Sequence, residues 1–200
     1  MVLKFCERVL TIENPTNSRD FGKNNLVESL AKFYSPLFNK TISPFDEILV
    51  TNGAYFALYS ICQTIINPGD EVIIIEPFFD CYLPMVKLAG GVPKFIKLKP
   101  NENDPNEPWT IDFNELDSLK SPKLKAIIIN NPNNPLGKIF TLEEMQKFAD
   151  FCISANIICI SDEVYEHLVY KPKKHIRIAA LPGMFERTVS VYSAGKTWSG

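Results

Sequence analysis

The sequence predicts an α/β fold in which helices cover both faces of a mostly parallel sheet, giving three layers. Short apolar runs alternate along the chain with longer segments whose apolar residues recur at helical spacing. Several of these runs lack polar residues, as is typical of strands buried on both faces of a parallel sheet. The chain has 200 residues, of which 46% are hydrophobic, so it can enclose one sizeable core.

The first half of the chain shows the alternation clearly. Residues 24–38 carry apolar side chains at helical spacing, and Pro36 is expected to end or kink this helix. The Asn-Pro-Gly sequence at 67–69 stops the next helix, and the apolar run 71–75 is typical of a buried strand. The predicted elements are helices at 24–38, 54–66 and 79–88, and strands at 47–50, 71–75 and 93–98.

The second half continues the pattern after a polar, proline-containing loop at 101–109. Thr141 is followed three residues later by Glu144, which is the pattern of a capping box at the start of a helix. The predicted elements are helices at 113–119 and from Thr141 onward, and strands at 124–129, 157–160 and 188–192. In such folds, ligands bind beyond the carboxyl ends of the strands.

Composition narrows the class of partner. The formal net charge of −2 provides no basic stripe, so nucleic acid is not expected as a partner. The five cysteines are odd in number and scattered, which indicates free thiols in a reducing compartment. The first ten residues lack a continuous apolar run, so we predict no secretory signal, no membrane partner and a cytoplasmic location. No metal site is predicted.

Four of the predicted strands are followed by unusual polar clusters. These clusters occupy residues 51–55, 130–138, 161–165 and 193–197. Because ligand sites in parallel sheets lie at the carboxyl ends of the strands, we expect the clusters to converge. Each cluster alone has a structural explanation, because Asn-Pro pairs form turns, an aspartate after a strand caps a helix, and a lone lysine is usually a solvated surface residue.

Together the clusters resemble the fold-type-I pyridoxal-phosphate (PLP) aminotransferases, most closely the kynurenine aminotransferase and cysteine-S-conjugate β-lyase group. The resemblance extends from about Arg19 to Ser199 and rests on short segments that occur in the family's order. They are Glu76-Pro-Phe-Phe-Asp-Cys-Tyr82, the Asn-Pro-Leu-Gly run at Asn134, Asp162-Glu-Val-Tyr165, His175-Ile, Leu181-Pro-Gly-Met184 and Ser193-Ala-Gly-Lys196. The resemblance implies that residues 19–200 form the PLP-binding large domain, preceded by an atypical segment at 1–18.

The resemblance also assigns catalytic and cofactor-binding roles. Lys196 would form a Schiff base with PLP, and Asp162 would pair with the protonated pyridine nitrogen. We expect burial or a neighbouring cation to lower the pKa of Lys196, because its ammonium form is not a nucleophile. Asn134 and Tyr165 would hydrogen-bond the phenolate oxygen of the cofactor ring, and Asn130 would support the same side.

The remaining predicted site residues would hold the ring face and the phosphate. Phe79 matches the family's aromatic residue that stacks on the ring, although a core phenylalanine is the alternative interpretation. Gly53, Ala54 and Tyr55 would offer backbone N–H groups at a helix start, and Ser193 would add a hydroxyl. Gly53 also suits a tight strand-to-helix turn, and the two interpretations are compatible.

The function implied by the resemblance is amino-group transfer from a kynurenine- or glutamine-like amino acid to a 2-oxo acid. Lys196 would also shuttle the proton during this transfer. Thiol elimination from cysteine S-conjugates would use the same cofactor and is compatible with transamination. A homodimer is the family expectation.

The sequence departs from the family pattern in ways that keep a second interpretation open. Family members are much longer, so a second phosphate-binding lysine, the arginine that binds the substrate carboxylate and the small C-terminal domain are expected to be missing here. Asn17 stands where the family usually has a tyrosine, and Trp198 stands where phenylalanine is usual. The alternative is a noncatalytic fragment, a partial gene model or a degenerate copy that at most binds PLP or pairs with a full-length subunit.

Overall fold

A computed structural model of the chain describes residues 3–6, 22–104 and 107–197. These residues form an eight-stranded sheet with helices packed against it. The strands are β1 (Leu3–Cys6), β2 (Ile48–Thr51), β3 (Glu71–Glu76), β4 (Val92–Lys99), β5 (Thr110–Ile111), β6 (Leu124–Asn130), β7 (Ile158–Asp162) and β8 (Thr188–Val191). The helices are α1 (Asn24–Phe38), α2 (Gly53–Ile65), α3 (Tyr82–Leu88), α4 (Phe113–Ser118), α5 (Leu142–Ser154) and α6 (Ala194–Thr197). Two 3-10 helices, Ile178–Ala180 and Phe185–Arg187, precede β8.

The strand order across the sheet is β2-β1-β8-β7-β6-β3-β4-β5. Every neighbouring pair is parallel except β4 and β5, which are antiparallel. The prediction of a mostly parallel sheet with flanking helices is therefore confirmed. Because the long strands run in one direction, the segments that follow β2, β6, β7 and β8 all lie at the same edge.

The core explains why the strand sequences are so apolar. Along β3, Val72 and Ile74 point to a buried cluster that includes residues of α2 and α3. Ile73 and Ile75 point to a second cluster that includes residues of α4 and α5. Successive side chains of a strand face opposite sides of the sheet, so both faces of β3 are covered and neither needs polar residues. The three predicted layers follow from this packing.

Most of the predicted helices and strands are observed, with small shifts at their ends. The capping box is present, since the Thr141 hydroxyl accepts a hydrogen bond from the Glu144 N–H and the Glu144 carboxylate accepts one from the Thr141 N–H. The predicted bounds of α1 are confirmed, and of the two effects expected of Pro36, an end to the helix is not observed, because the helix continues two residues further to Phe38. It ends at Asn39, whose backbone is left-handed with φ of 52°. Pro36 lies in the last turn, where it removes only one backbone hydrogen bond.

A second difference concerns α3, which begins at Tyr82 rather than at Phe79. The preceding residues form a turn in which the Tyr82 N–H donates to the Phe79 carbonyl. Strands β1 and β5 were not predicted. Residues 7–18 of the predicted N-terminal segment, including Asn17, lie outside the described residues, as does Trp198. Within the described ranges, no helix is both long enough and apolar enough to span a bilayer.

Candidate active site

A cavity of about 370 Å³ lies at the carboxyl edge of the sheet, beyond β2, β6, β7 and β8. All of the site residues predicted from the sequence line it, together with Leu58, Tyr82 and Val164. The predicted residues are Gly53, Ala54, Tyr55, Phe79, Asn130, Asn134, Asp162, Tyr165, Ser193 and Lys196. The expected convergence of the four clusters is observed, while the role of each residue stays a prediction.

Asp162 ends β7 and is the buried acidic group of the cavity, with an exposed fraction of only 3%. Its Oδ2 accepts a hydrogen bond of 2.5 Å from the Tyr82 hydroxyl, and its Oδ1 accepts one of 3.3 Å from the Val164 N–H. Burial raises the pKa of Asp162 to about 6, because desolvation disfavours the carboxylate, although both hydrogen bonds act in the opposite direction. A cation placed beside this carboxyl would therefore favour its ionisation.

Tyr82 is a site residue to which the sequence analysis gave no role. It is 2% exposed at the start of α3, and its pKa is raised by burial and by the nearby Asp162. A neutral phenol is therefore the form that donates to the carboxylate. One feature of the sequence could have indicated this residue, because Tyr82 follows the predicted site residue Phe79 by three positions. In the structure the two rings pack edge to face, with their centroids 6.1 Å apart.

Asn130 connects two predicted cofactor contacts. Its amide oxygen accepts a 2.6 Å hydrogen bond from the Asn134 N–H, and its amide N–H donates to the Asp162 carbonyl at 3.0 Å. The Asn131 N–H donates to the same carbonyl, also at 3.0 Å. The loop after β6 is thereby fixed against the end of β7, which agrees with a supporting role for Asn130.

Lys196 lies in α6, which begins directly after Ser193. Its Nζ is 5.5 Å from the centroid of the Tyr165 ring, within the range of a cation–π contact. Its positive charge also lowers the pKa of Asp162, against the larger effect of burial, so the two groups interact across the cavity. The side chain is exposed, so burial, one of the two means predicted to activate this lysine, is not observed. The physical reason is that Lys196 lies in the lining of an open cavity, where the described residues leave its side chain accessible.

The amino end of α2 forms part of the cavity wall. Gly53 begins this 13-residue helix with φ of 86°, a left-handed conformation that glycine adopts without steric cost. The preceding Asn52 makes no side-chain capping hydrogen bond to the first turn. The first backbone N–H groups of a helix have no partner within the helix, so this end is suited to an anion.

Comparison with known proteins decides the family. Residues 14–199 match the family model of class I and II aminotransferases. The chain belongs to this family. Members of this family depend on PLP. One relative with a similar sequence is kynurenine–oxoglutarate transaminase 3 of Rattus norvegicus. The identity is 51% over 186 residues, which cover 91% of this chain and 41% of the rat protein.

Two solved structures of aminotransferase relatives share its fold. Bna3p from Saccharomyces cerevisiae superposes with a TM-score of 0.86 at 39% identity, covering 92% of this chain and 44% of Bna3p. N-Succinyldiaminopimelate aminotransferase from Mycobacterium tuberculosis gives 0.84 at 34% identity, covering 90% of this chain and 46% of that protein. The chain thus spans less than half the length of these relatives.

The residues of the cavity fit PLP. The buried carboxyl of Asp162 suits a pyridinium nitrogen, the amide and phenol of Asn134 and Tyr165 suit a phenolate oxygen, and the primary amine of Lys196 suits an aldehyde when it is uncharged. The amino end of α2 suits the phosphate. The cavity volume also lies within the usual range for small-molecule sites.

Proposed function

We propose that this chain forms the PLP-binding core of an aminotransferase that moves an amino group from an amino acid to a 2-oxo acid. The proposal is carried by one observation, the convergence of Asp162, Tyr165 and Lys196 on a single cavity beside the amino end of α2. When bound, PLP supplies an electron sink that stabilises negative charge at the substrate Cα. The protein residues then orient the reacting groups and move protons.

Lys196 has two roles in this proposal. Its Nζ would hold PLP through the aldehyde group of the cofactor, and the amine of the substrate would take its place. The same Nζ, which is 5.5 Å from the centroid of the Tyr165 ring, would also take the proton from the substrate Cα. Exposure of Lys196 to the cavity is consistent with both roles, because the amine must reach the cofactor and then be replaced.

Asp162 keeps a proton on the pyridine nitrogen by offering a negative charge beside it. Such a charged hydrogen bond contributes about 1.5–3 kcal/mol. Tyr82 and Val164 hold the carboxylate oxygens from the protein side, so the direction of the carboxyl group is fixed before the cofactor binds. The Asn130 side chain binds the backbone carbonyl of Asp162 and the backbone N–H of Asn134, and so links the two segments that carry these residues.

A narrower class of substrate can be proposed than the family alone implies. We propose a kynurenine- or glutamine-like amino donor, supported by the identity to rat kynurenine–oxoglutarate transaminase 3. Elimination of a thiol from cysteine S-conjugates is proposed as a second reaction of the same site. It requires the same proton removal by Lys196, followed by loss of the leaving group at the β-carbon.

One observation favours a noncatalytic alternative. Among the described residues that line the cavity, none is an arginine, and Lys196 is the one basic side chain. An α-carboxylate is normally held by a bidentate arginine, so a substrate lacks its expected anchor here. On this alternative the chain binds PLP, or pairs with a full-length subunit, without turning over a substrate.

Turnover measurements distinguish the two functions. The purified chain is titrated with PLP by absorbance, then supplied with kynurenine or glutamine together with 2-oxoglutarate, and the products are quantified by chromatography. We expect a PLP absorbance change in the native chain and in Lys174→Ala, an exposed-lysine control. Lys196→Ala should bind PLP noncovalently and produce no product. PLP binding without product in the native chain would favour the noncatalytic alternative, and turnover in Lys196→Ala would refute the role of Lys196.

We also propose a cytoplasmic homodimer. Four cysteines, Cys62, Cys81, Cys152 and Cys159, are free and buried, which suits a reducing compartment. The outer face of α2 exposes Tyr55 and Phe56 by 57% and 52%, and Tyr55 also lines the cavity. An exposed aromatic surface beside the site suits a second copy of the chain. Sedimentation of the native chain and of Phe56→Ser, compared at equal concentration, tests the dimer.

A further inference from the structure

A cluster of buried polar side chains lies at the end of β7, on the side that faces away from the cavity. Glu163 is only 1% exposed, and its carboxylate accepts a 2.9 Å hydrogen bond from the Ser161 hydroxyl. The His175 Nε2 lies 2.6 Å from the other oxygen, and both side chains are almost fully buried. Because strand side chains alternate, Ser161 points away from the side that carries Asp162. The Glu163–His175 pair is therefore separate from the cavity residues.

A second buried pair lies in the same region. Glu166 is 5% exposed, accepts a 2.6 Å hydrogen bond from the Tyr34 hydroxyl and forms an ion pair with Arg177. The Asn131 amide also donates to the Ile176 carbonyl at 3.3 Å. The segment that contains His175 and Arg177 is therefore fixed to α1, to the end of β6 and to the end of β7.

The two glutamates flank the turn that carries Tyr165. The Glu166 N–H donates to the Glu163 carbonyl at 3.0 Å, and the Glu163 N–H donates to the Val191 carbonyl at 2.8 Å. Asp162 immediately precedes this turn, and Tyr165 lies within it. Both cavity residues are thus carried by a short backbone segment in which the Glu163 and Glu166 side chains are bound away from the cavity.

We infer that His175 and Arg177 are positioning residues for the cofactor site, because their pairs with Glu163 and Glu166 fix the turn that presents Asp162 and Tyr165. The inference rests on the proposed function, since the geometry it concerns is that of the PLP contacts. Removing one partner of a buried pair leaves the other polar group without its contact in the interior, which is unfavourable for a hydrogen-bonded pair and strongly so for an ion pair. The turn would then shift to bring the glutamate closer to water, and the two cavity residues would shift with it.

The test compares two substitutions of one residue with a distant control. His175→Ala removes the partner of Glu163, whereas His175→Gln keeps an N–H donor for it. Glu71→Gln alters another partly buried glutamate, paired with Lys94 and Ser121 at the opposite end of the sheet. Each variant is measured at a temperature at which circular dichroism shows it to be folded. The two readouts are the PLP dissociation constant and hydrogen exchange of residues 163–168.

We expect His175→Ala to weaken PLP binding about threefold to thirtyfold, the range of effects transmitted through packed networks. Exchange at 163–168 should accelerate in the same variant, while exchange of β3 stays unchanged. His175→Gln should recover most of both properties, and Glu71→Gln should leave both as in the native chain. A merely structural role would lower the melting temperature without this local exchange change or this rescue.

A folded His175→Ala variant with native PLP affinity and native exchange at 163–168 would overturn the inference. If that variant does not fold, Ser161→Ala removes only one partner of Glu163, and a smaller acceleration at 163–168 is expected. The exchange readout needs no cofactor. If the native chain failed to bind PLP, the proposed function would be refuted, while the fixing of the turn would still be supported or overturned by exchange.

Discussion

The two sides of the sheet at the end of β7 carry similar acidic residues in different surroundings. On one side, the buried carboxyl of Asp162 is held by Tyr82 and Val164 and also lines an open cavity. On the other side, Glu163 and Glu166 each meet a basic partner and a hydroxyl within the protein. The comparison teaches that a buried acidic residue marks a ligand site when it lies beside open space without a basic partner in direct contact.

The largest expected difference concerns the pH dependence of stability. The pKa of Asp162 is about 6 in the folded chain, above the ordinary value of 3.8. Protonated Asp162 therefore stabilises the fold fully below about pH 4, and this contribution is lost as the pH rises through 6. The difference between the two pKa values corresponds to about 3 kcal/mol in the free energy of unfolding. Denaturant unfolding of the PLP-free chain should show this loss between pH 4 and pH 7, whereas Asp162→Asn should not.

The next prediction concerns the charge of Asp162 in cofactor binding. Asp162→Asn keeps the size of the side chain but cannot hold a proton on the pyridine nitrogen electrostatically. We expect PLP binding at pH 7 to weaken by about 1.5–3 kcal/mol, the range for a hydrogen bond to a charged group. Equilibrium dialysis measures this change. Asp150→Asn on the exposed surface of α5 is the control, and equal affinity of the two variants would contradict the assignment.

Tyr82→Phe tests whether the protein orients the cavity carboxyl from behind. The substitution removes the hydroxyl that donates to Asp162 and leaves the ring in place. We expect the PLP dissociation constant to rise about tenfold, equivalent to about 1.5 kcal/mol. Tyr59→Phe alters an exposed tyrosine of α2 and should leave PLP affinity unchanged. An unaffected Tyr82→Phe variant would show that Asp162 needs no such support.

The smallest expected effect is the loss of ring stacking. Phe79→Leu keeps an apolar side chain at the cavity wall but removes the aromatic face. We expect PLP binding to weaken by about 0.5–1.5 kcal/mol, the usual contribution of aromatic contact geometry. Phe78→Leu is the matched control, because Phe78 stacks on Phe95 at 5.9 Å and is not part of the cavity lining. Fluorescence titration of both variants separates stacking from core packing.

Much of the fold could be predicted because its signals are local. Apolar runs mark β3, β6 and β7, and the Thr141–Glu144 capping box marks the start of α5. The site residues could also be named, because they lie at or just after the ends of strands and their motifs resemble those of a known family. Parallel pairing then brings those segments to one edge without any further information.

The rest depends on contacts between residues that are distant in sequence. Strand β5 has only two residues and is defined by its pairing with β4, so its own sequence carries no strand pattern. The hydrogen bond from Tyr82 to Asp162 joins positions 80 residues apart. The exposure of Lys196 depends on which elements cover the cavity rim. None of these properties follows from periodicity or from a short motif.

The most direct test of the cofactor assignment is borohydride reduction of the chain after incubation with PLP, followed by peptide mapping of the modified lysine. Reduction makes the bond between PLP and an amine permanent. We predict modification at Lys196, with none at the exposed Lys32 and Lys174 and none anywhere in Lys196→Ala. Label absent from Lys196, or distributed among exposed lysines, would contradict the account.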